Sequence, residues 1–350
     1  MVLSEEVHAV ELVYAGQEIE VTEAGTDFYN ERQRVEIDVI KSLEVDEAYG
    51  VGNNGEIKDV TFGLYAAEEL TAADGSSIPA DELIEVIFLD ENGHGKAVSD
   101  LPMGSYYVQE IKTNSAYLIS DEKHPVDFEY AGQETAVVHI TANEGEAIEN
   151  ELIYGSVSGK KSNEDGEDLG GAVIGIFQTG TTEYTKENAI ATATSEDDGS
   201  FSFEEVPYGT WVIREIESPK GYVLSEEEIS VTISEVDEVV EIELVNYFIT
   251  GNIALTKVDK DYPENKLTGA VFEIYSDTNE DGKLDKKDGL LGEMGEVEKG
   301  VYQMDDLRYG KYLVREKTAP TGFVLDENVY PVSIEENGKT YNVENEAGEP

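Results

Sequence analysis

The sequence predicts an all-β protein, a string of small β-sandwiches. Three observations carry that expectation. Runs such as Thr210–Glu215, Glu228–Ile233 and Val239–Val245 alternate or are β-branched-rich, with Gly, Pro, Asn and Asp between them. No segment holds a helical period for three turns. The chain also repeats itself, and each repeat is long enough to close one core of short strands.

The repeats can be followed in order. An early strand recurs as VTFGLYA, AVIGIFQ and AVFEIYS. A later strand opens on Gly104, Gly209 or Gly310, and six residues on stands Glu110, Glu215 or Glu316. The next segments match as EIKTNSAYLIS, EIESPKGYVLS and EKTAPTGFVLD. Eleven residues separate Asn30 from Lys41, Asn150 from Lys161 and Asn246 from Lys257. The units are 34–153, 154–249 and 250–350, joined by a few residues with no Pro/Ser-rich spacer, so the string is expected to be stiff. Residues 1–33 read as the C-terminal remnant of a truncated preceding unit. VLSEE near the start matches the segment after Tyr222, YAGQE occurs at Tyr14 and Tyr130, and Asn30 fills the asparagine position. Its lysine and glutamate would lie upstream, so Asn30 is expected to stay unreacted.

In a strand, residues two apart share a face. By that parity Lys41 follows Ile37 and Val39 on an apolar face, Lys161 follows Val157, and Lys257 follows Ile253 and Leu255. Glu110 follows Tyr106 and Val108, Glu215 follows Trp211 and Ile213, and Glu316 follows Tyr312 and Val314. Asn150 follows Ile148, Asn246 follows Ile242 and Leu244, and Asn345 follows Tyr341 and Val343. A buried charge is costly, so three copies of one costly trio point to chemistry. The bland alternative is a buried Lys–Glu ion pair hydrogen-bonded to asparagine. Such a pair is at best break-even for stability, and its threefold recurrence argues against it.

The units resemble the B-type repeat domains of collagen adhesins and the SpaA-like pilin domains of Gram-positive surface proteins. The matching residues are the first-strand lysines, the last-strand asparagines, and the glutamates in LVREKTAPTGF (Leu313–Phe323) and VIREIESPKGY (Val212–Tyr222). The first unit departs, with TNSAY where the others have proline and glycine, and keeps its trio. The resemblance covers almost the whole chain. It implies an Ig-like, transthyretin-like (reversed immunoglobulin) sandwich in each unit and an intramolecular Lys–Asn isopeptide bond. It further implies a stalk segment of an extracellular, wall-anchored protein whose partners are neighbouring domains of the same chain.

The residues suit that reaction. Burial disfavours charge, and a neutral amine is a nucleophile where an ammonium is not. A protonated carboxyl can polarise the carboxamide and relay protons to departing ammonia, and fixed contact supplies the proximity. Lys41, Lys161 and Lys257 are the expected nucleophiles and Asn150, Asn246 and Asn345 the electrophiles. Glu110, Glu215 and Glu316 are the expected general acid/base groups. Each reaction runs once, without a cofactor, so no enzymatic turnover is expected. With lysine on the first strand and asparagine on the last, tension would bypass residues 42–149, 162–245 and 258–344.

A second motif, DTNEDGKLDKKD, runs from Asp277 to Asp288. Asp277, Asn279 and Asp281 fall at loop positions 1, 3 and 5, Gly282 at 6, the Lys283 carbonyl at 7, Asp285 at 9 and Asp288 at 12. This is the spacing of an EF-hand or dockerin calcium loop. The flanks FEIY and GLLGEMG read as strand and turn, so a structural Ca2+ loop inserted in the third unit is expected. The alternative is an acidic surface turn.

Composition narrows the rest. With 24 basic and 77 acidic residues among 350, the formal charge is −53. That excludes a general nucleic-acid binder and disfavours direct membrane contact, while it favours divalent cations. There is no cysteine, hence no disulfide or thiolate metal site. No apolar run approaches the roughly 18 residues of a membrane span, and the acidic start is no signal peptide. Gly50, Gly52 and Gly55 form a GxGxxG string with no helix after it. His8, His94, His124 and His139 lack metal-ligand spacing, and YPEN at Tyr262–Asn265 has glutamate where a pilin polymerisation motif has lysine. The rival function is recognition of a host protein or glycan, most readily by the first unit with its longer Glu110-to-Asn150 segment. That role calls for a groove or an exposed aromatic patch.

Overall fold

The computed structural model describes residues 30–344. Its regular elements are strands and two short 3-10 turns, with no α-helix among the described residues. Residues 1–29 of the expected remnant, and Asn345, lie outside the described residues.

The strands form three sets. The first holds β1 (Arg34–Leu43), β2 (Thr61–Ala66), β3 (Leu70–Thr71), β4 (Ser77–Ile78), β5 (Leu83–Phe88), β6 (His94–Ala97), β7 (Gly104–Lys112), β8 (Lys123–Phe128), β9 (Val137–Thr141) and β10 (Ile148–Asn150). One sheet has the order β10-β1-β6 with β9 also on β1, the other β5-β2-β7-β8, and β3 and β4 make a small ribbon. The second set holds β11 (Tyr154–Asn163), β12 (Val173–Gln178), β13 (Ala191–Thr194), β14 (Ser200–Pro207), β15 (Gly209–Glu217), β16 (Ile229–Ile233) and β17 (Val239–Asn246). Its sheets are β14-β11-β17 and β13-β12-β15-β16. The third holds β18 (Thr250–Thr256), β19 (Val271–Ser276), β20 (Gly289–Glu293), β21 (Gly295–Glu298), β22 (Val301–Arg308), β23 (Gly310–Thr318), β24 (Val329–Ile334) and β25 (Thr340–Asn342). Its sheets are β21-β22-β18-β25 and β20-β19-β23-β24.

By spatial contact the chain divides into two compact units. One is the part up to Gly155 with the turns Pro207–Gly209 and Ile233–Glu238, and the other is Ser156–Val206, Thr210–Thr232 and the part from Val239 onward.

Strict alternation makes the first strands of the first two sets, β1 and β11, whereas β18 buries Ile253, Ala254 and Leu255 in succession. In β1, Val35, Ile37, Val39 and Lys41 are buried while the residues between them are not. The same face of β7 buries Tyr106, Val108 and Glu110. One core gathers Ile37, Val39, Phe62, Leu64, Val108 and Phe128. Another gathers Ile253, Phe272, Ile274, Tyr302, Val314 and Ile334. In each set the last strand runs parallel beside the first, β10 on β1, β17 on β11 and β25 on β18. Parallel neighbours need a long crossover, and here the crossover is the rest of the set. The topology therefore brings the two ends of each set into one sheet.

Candidate functional site

Register aims the lysines and asparagines at one another. Lys41 is paired with Ile148 and Leu43 with Asn150. In the second set Lys161 is paired with Leu244 and Asn163 with Asn246. Two residues along a strand keep the face, so each lysine and its asparagine enter the same core as diagonal neighbours. The glutamates stand on the opposing sheets, on β7, β15 and β23. A glycine fixes the lysine backbone each time. The amide of Lys41 donates to Gly93 O at 2.8 Å, that of Lys161 to Gly199 O at 2.7 Å and that of Lys257 to Gly300 O at 2.8 Å. A Cβ on Gly93 or Gly199 would stand 2.2 Å from the lysine carbonyl oxygen, and both have left-handed φ, 79° and 77°. Glycine alone fits there.

The first site is fully assembled. Lys41 Nζ donates to Asn150 Oδ1 at 2.6 Å and to Ile148 O at 3.0 Å. Asn150 Nδ2 donates to Glu110 Oε1 and Oε2 at 2.9 and 3.0 Å, and to Thr113 Oγ1 at 2.9 Å. Lys41, Glu110 and Asn150 are only 3%, 5% and 2% exposed. In the second site Asn246 Nδ2 donates to Glu215 Oε2 and Val223 O, both at 2.7 Å, and Lys161 Nζ lies 3.8 Å from Glu215 Oε1. Lys161 Nζ also donates to Leu244 O at 3.1 Å. Glu215 Oε1 and Asn246 Oδ1 are buried here without a hydrogen-bond partner, a costly state.

The third site differs. Sequence parity places Lys257 on the strand's apolar face, but β18 ends at Thr256 because the chain turns into a Val258–Lys266 bridge. The Lys257 side chain is 19% exposed, against 0% for Lys161. Its Nζ stands 3.0 Å from Glu316 Oε1, off the hydrogen-bonding directions, so that oxygen too lacks a hydrogen-bond partner. Its asparagine, Asn345, lies outside the described residues.

A shared anchor holds the glutamates. Glu110 Oε2 accepts the Ser120 amide at 2.9 Å, Glu215 Oε2 the Ser225 amide at 2.7 Å and Glu316 Oε2 the Asp326 amide at 2.8 Å. Each amide lies ten residues on, where the matched loop returns. In the first set that loop has no proline, and Asn114 makes the turn instead, its Oδ1 accepting the Ala116 amide and its carbonyl the Tyr117 amide, both at 3.0 Å.

Burial pushes the Lys41 amine down to about 8, against the opposing pull of Glu110 and Glu149. Burial lowers Lys161 in the same way, against Glu215 and Glu227. The amines are thereby eased toward the neutral, nucleophilic form. Chemically, the arrangement offers an amine at a carboxamide oxygen with a carboxyl on the carboxamide nitrogen.

The loop from Asp277 to Asp288 is closed by its own hydrogen bonds. Asp277 accepts the amides of Asp281 and Gly282 at 3.2 and 2.9 Å, and Asp288 those of Thr278 and Asp285 at 3.1 and 2.7 Å. Asp281 and Asp285 each cap an amide further on, those of Lys283 and Lys287. Among the described residues no group of three or more His, Cys, Asp or Glu side chains is arranged to hold a metal ion. Two concavities beside the first set, of about 330 and 410 Å³, are shallow openings near Met103–Tyr130 and Glu44–Tyr154. Trp211 is core and His124 is buried on β8.

The SpaA family, described as a prealbumin-like fold domain, matches residues 50–144, 155–247 and 251–347. No curated protein matches the chain. Among solved structures, the Bacillus anthracis TIE protein superposes with a TM-score of 0.59 at 21% identity, over 89% of this chain and 50% of that one. The chain thus spans half the length of that structure, and the likeness is one of fold. BcpA, the major pilin subunit of Bacillus cereus, matches at 19% identity over 89% of this chain and 99% of its own, with a TM-score of 0.37. A streptococcal ancillary pilin matches at 18% identity over 89% and 98%, with a TM-score of 0.28.

Proposed function

Because the chain belongs to the SpaA family of prealbumin-like fold domains, we propose that it is a shaft segment of a Gram-positive surface pilin or adhesin. In this reading three autocatalytic isopeptide bonds lock it, Lys41–Asn150, Lys161–Asn246 and Lys257–Asn345. The observation that carries the reading is the first site, where the Lys41 amine, the Asn150 carboxamide and the Glu110 carboxyl meet in one buried cluster. The neutral lysine nitrogen attacks the asparagine Cγ, forming a C–N bond. The proton it sheds passes through the glutamate to Nδ2, and the Cγ–Nδ2 bond breaks to release ammonia. The orphaned oxygens of Glu215 and Asn246 support the same reading, since hydrogen bonding is incomplete where the second bond would form. An extracellular, wall-anchored setting goes with this role, as does Ca2+ bound in the Asp277–Asp288 loop.

Pulling single molecules from their ends tests the shaft role. The expected trace shows no lengthening from residues 42–149 or 162–245, while Lys161→Ala releases the second stretch alone. A wild-type chain that unravels across those stretches would defeat the reading.

A further inference from the structure

The Asn150 nitrogen is surrounded by more oxygens than an amide can use. A carboxamide NH2 has two hydrogens, yet Glu110 Oε1, Glu110 Oε2 and Thr113 Oγ1 stand 2.9, 3.0 and 2.9 Å from Nδ2. The nitrogen gains a third hydrogen only when it is protonated to leave as ammonia. Once Glu110 has handed over its proton, both carboxylate oxygens accept, and Thr113 supplies the third acceptor. The set therefore fits the departing nitrogen better than the resting amide, and interactions that strengthen in the transition state are the ones that speed a reaction.

A β-bulge brings Thr113 to this place. Glu110 is paired with Phe62 but Lys112 with Thr61, so Ile111 is one residue too many on β7. Three residues past Glu110, Thr113 would face the other side of a regular strand. The extra residue reverses the parity and returns it to the side of Glu110. The bulge recurs in the other sets, with Glu215 paired to Ile174 and Glu217 to Val173, and with Glu316 paired to Phe272 and Thr318 to Val271. The residue that follows it differs, being Thr113, Ser218 and Ala319 in turn. In the second site Ser218 Oγ donates to Tyr222 O at 3.0 Å, and Val223 O accepts from Asn246 Nδ2 at 2.7 Å. In both sites the carboxamide nitrogen thus lies between the glutamate carboxyl and one uncharged oxygen. Such an oxygen accepts a hydrogen throughout and does not compete with Nδ2 for the proton that glutamate delivers.

We propose that Thr113 is the acceptor that holds the leaving nitrogen at the first site and so sets the rate at which the Lys41–Asn150 bond forms. The proposal rests on the isopeptide reading. The bond from Lys41 Nζ to Asn150 Cγ forms, the Cγ–Nδ2 bond breaks, and the lysine proton reaches Nδ2 through Glu110. Thr113 keeps its own proton, ammonia departs, and no further reactant is needed.

The test follows bond formation in the full chain after cell-free synthesis, with intact mass giving the number of bonds and fragment spectra their positions. Thr113→Val keeps the shape and removes the oxygen. It should form the Lys41–Asn150 bond more slowly by about tenfold, the worth of one hydrogen bond to a charged group. The Lys161–Asn246 bond in the same molecules should form at the wild-type rate. Thr113→Ser should restore the first rate. The pH midpoint of the rate should not move in Thr113→Val, because the lysine that titrates is untouched. An unchanged first rate in Thr113→Val, a Thr113→Ser chain as slow as Thr113→Val, or a shifted midpoint overturns the proposal. So does a lower melting midpoint when Thr113→Val is placed in a chain blocked by Asn150→Ala, since the slowing would then belong to the fold. Those outcomes leave the isopeptide reading standing. A wild-type chain that never joins Lys41 to Asn150 defeats that reading, and the proposal with it.

Discussion

At the scale of single residues, the account depends on what glutamate does to a lysine and an asparagine buried in one core. Glu215 is anchored by the Ser225 amide and holds the Asn246 nitrogen. Glu215→Ala should therefore leave the second set folded with Lys161 and Asn246 unlinked, and cost roughly 4–5 kcal/mol by analogy with other covalent loop closures. Mass spectrometry and thermal melting check both parts, and a full mass loss in this variant would take the acid/base role from glutamate. Lys41 gives a pH test. In an Asn150→Ala variant the amine stays free, and its value of about 8 lies below the ordinary 10.5. The charged form is disfavoured in the fold, so the cost is fully present below about 8 and fades as pH rises toward 10.5. That variant should gain about 3 kcal/mol across this window relative to an Asn150→Ala, Lys41→Met control, read by denaturant melts at each pH. The first two trios were legible because side-chain parity places their members on one buried face. Gly93, Gly199 and the amides of Ser120, Ser225 and Asp326 were not, because they act through backbone groups that leave no side-chain pattern. Thr113, beside the Asn150 nitrogen, has serine and alanine at the matching positions Ser218 and Ala319, so repetition could not reveal it.

At the scale of elements, alternation and punctuation forecast the strands well, and strand ends poorly. Lys257 fits the parity of Ile253 and Leu255, yet β18 stops one residue short of it because Val258 pairs with Lys266 across a turn. Parity describes a strand while it lasts and carries no information on where the ladder stops. The matched early strand conceals a second difference. Gly63 and Gly175 lie under the rings of Tyr65 and Phe177, whereas Glu273 at that position is buried and bonded to Tyr275, Arg315 and Lys317. The Asp277–Asp288 loop is the element with a ligand at stake. Its carboxylates cap backbone amides, so Ca2+ would have to draw Asp277, Asp281, Asp285 and Asp288 off those amides to be bound; an ion held that way would raise the stability of the third set by mass action. Titration calorimetry on the full chain should show calcium-dependent heat that Asp277→Ala abolishes. No heat and no thermal shift at millimolar calcium would leave an acidic turn.

At the scale of the whole molecule, the parallel pairing of first and last strands is what would let an isopeptide bond tie the two ends of a set together. With the Lys41–Asn150 bond formed, force entering at Lys41 would leave at Asn150 without crossing the core between them. The repeat phase made this arrangement readable in outline, since eleven residues separate each asparagine from the next lysine. The central claim is that the trios are covalent bonds and not ion pairs. Intact-mass spectrometry of the purified, folded chain tests it most directly. Each bond expels one ammonia, so the account predicts a deficit of about 17 Da per bond, three bonds in all, with fragment spectra joining Lys41 to Asn150 and Lys161 to Asn246. A mass equal to that of the unmodified sequence would contradict it.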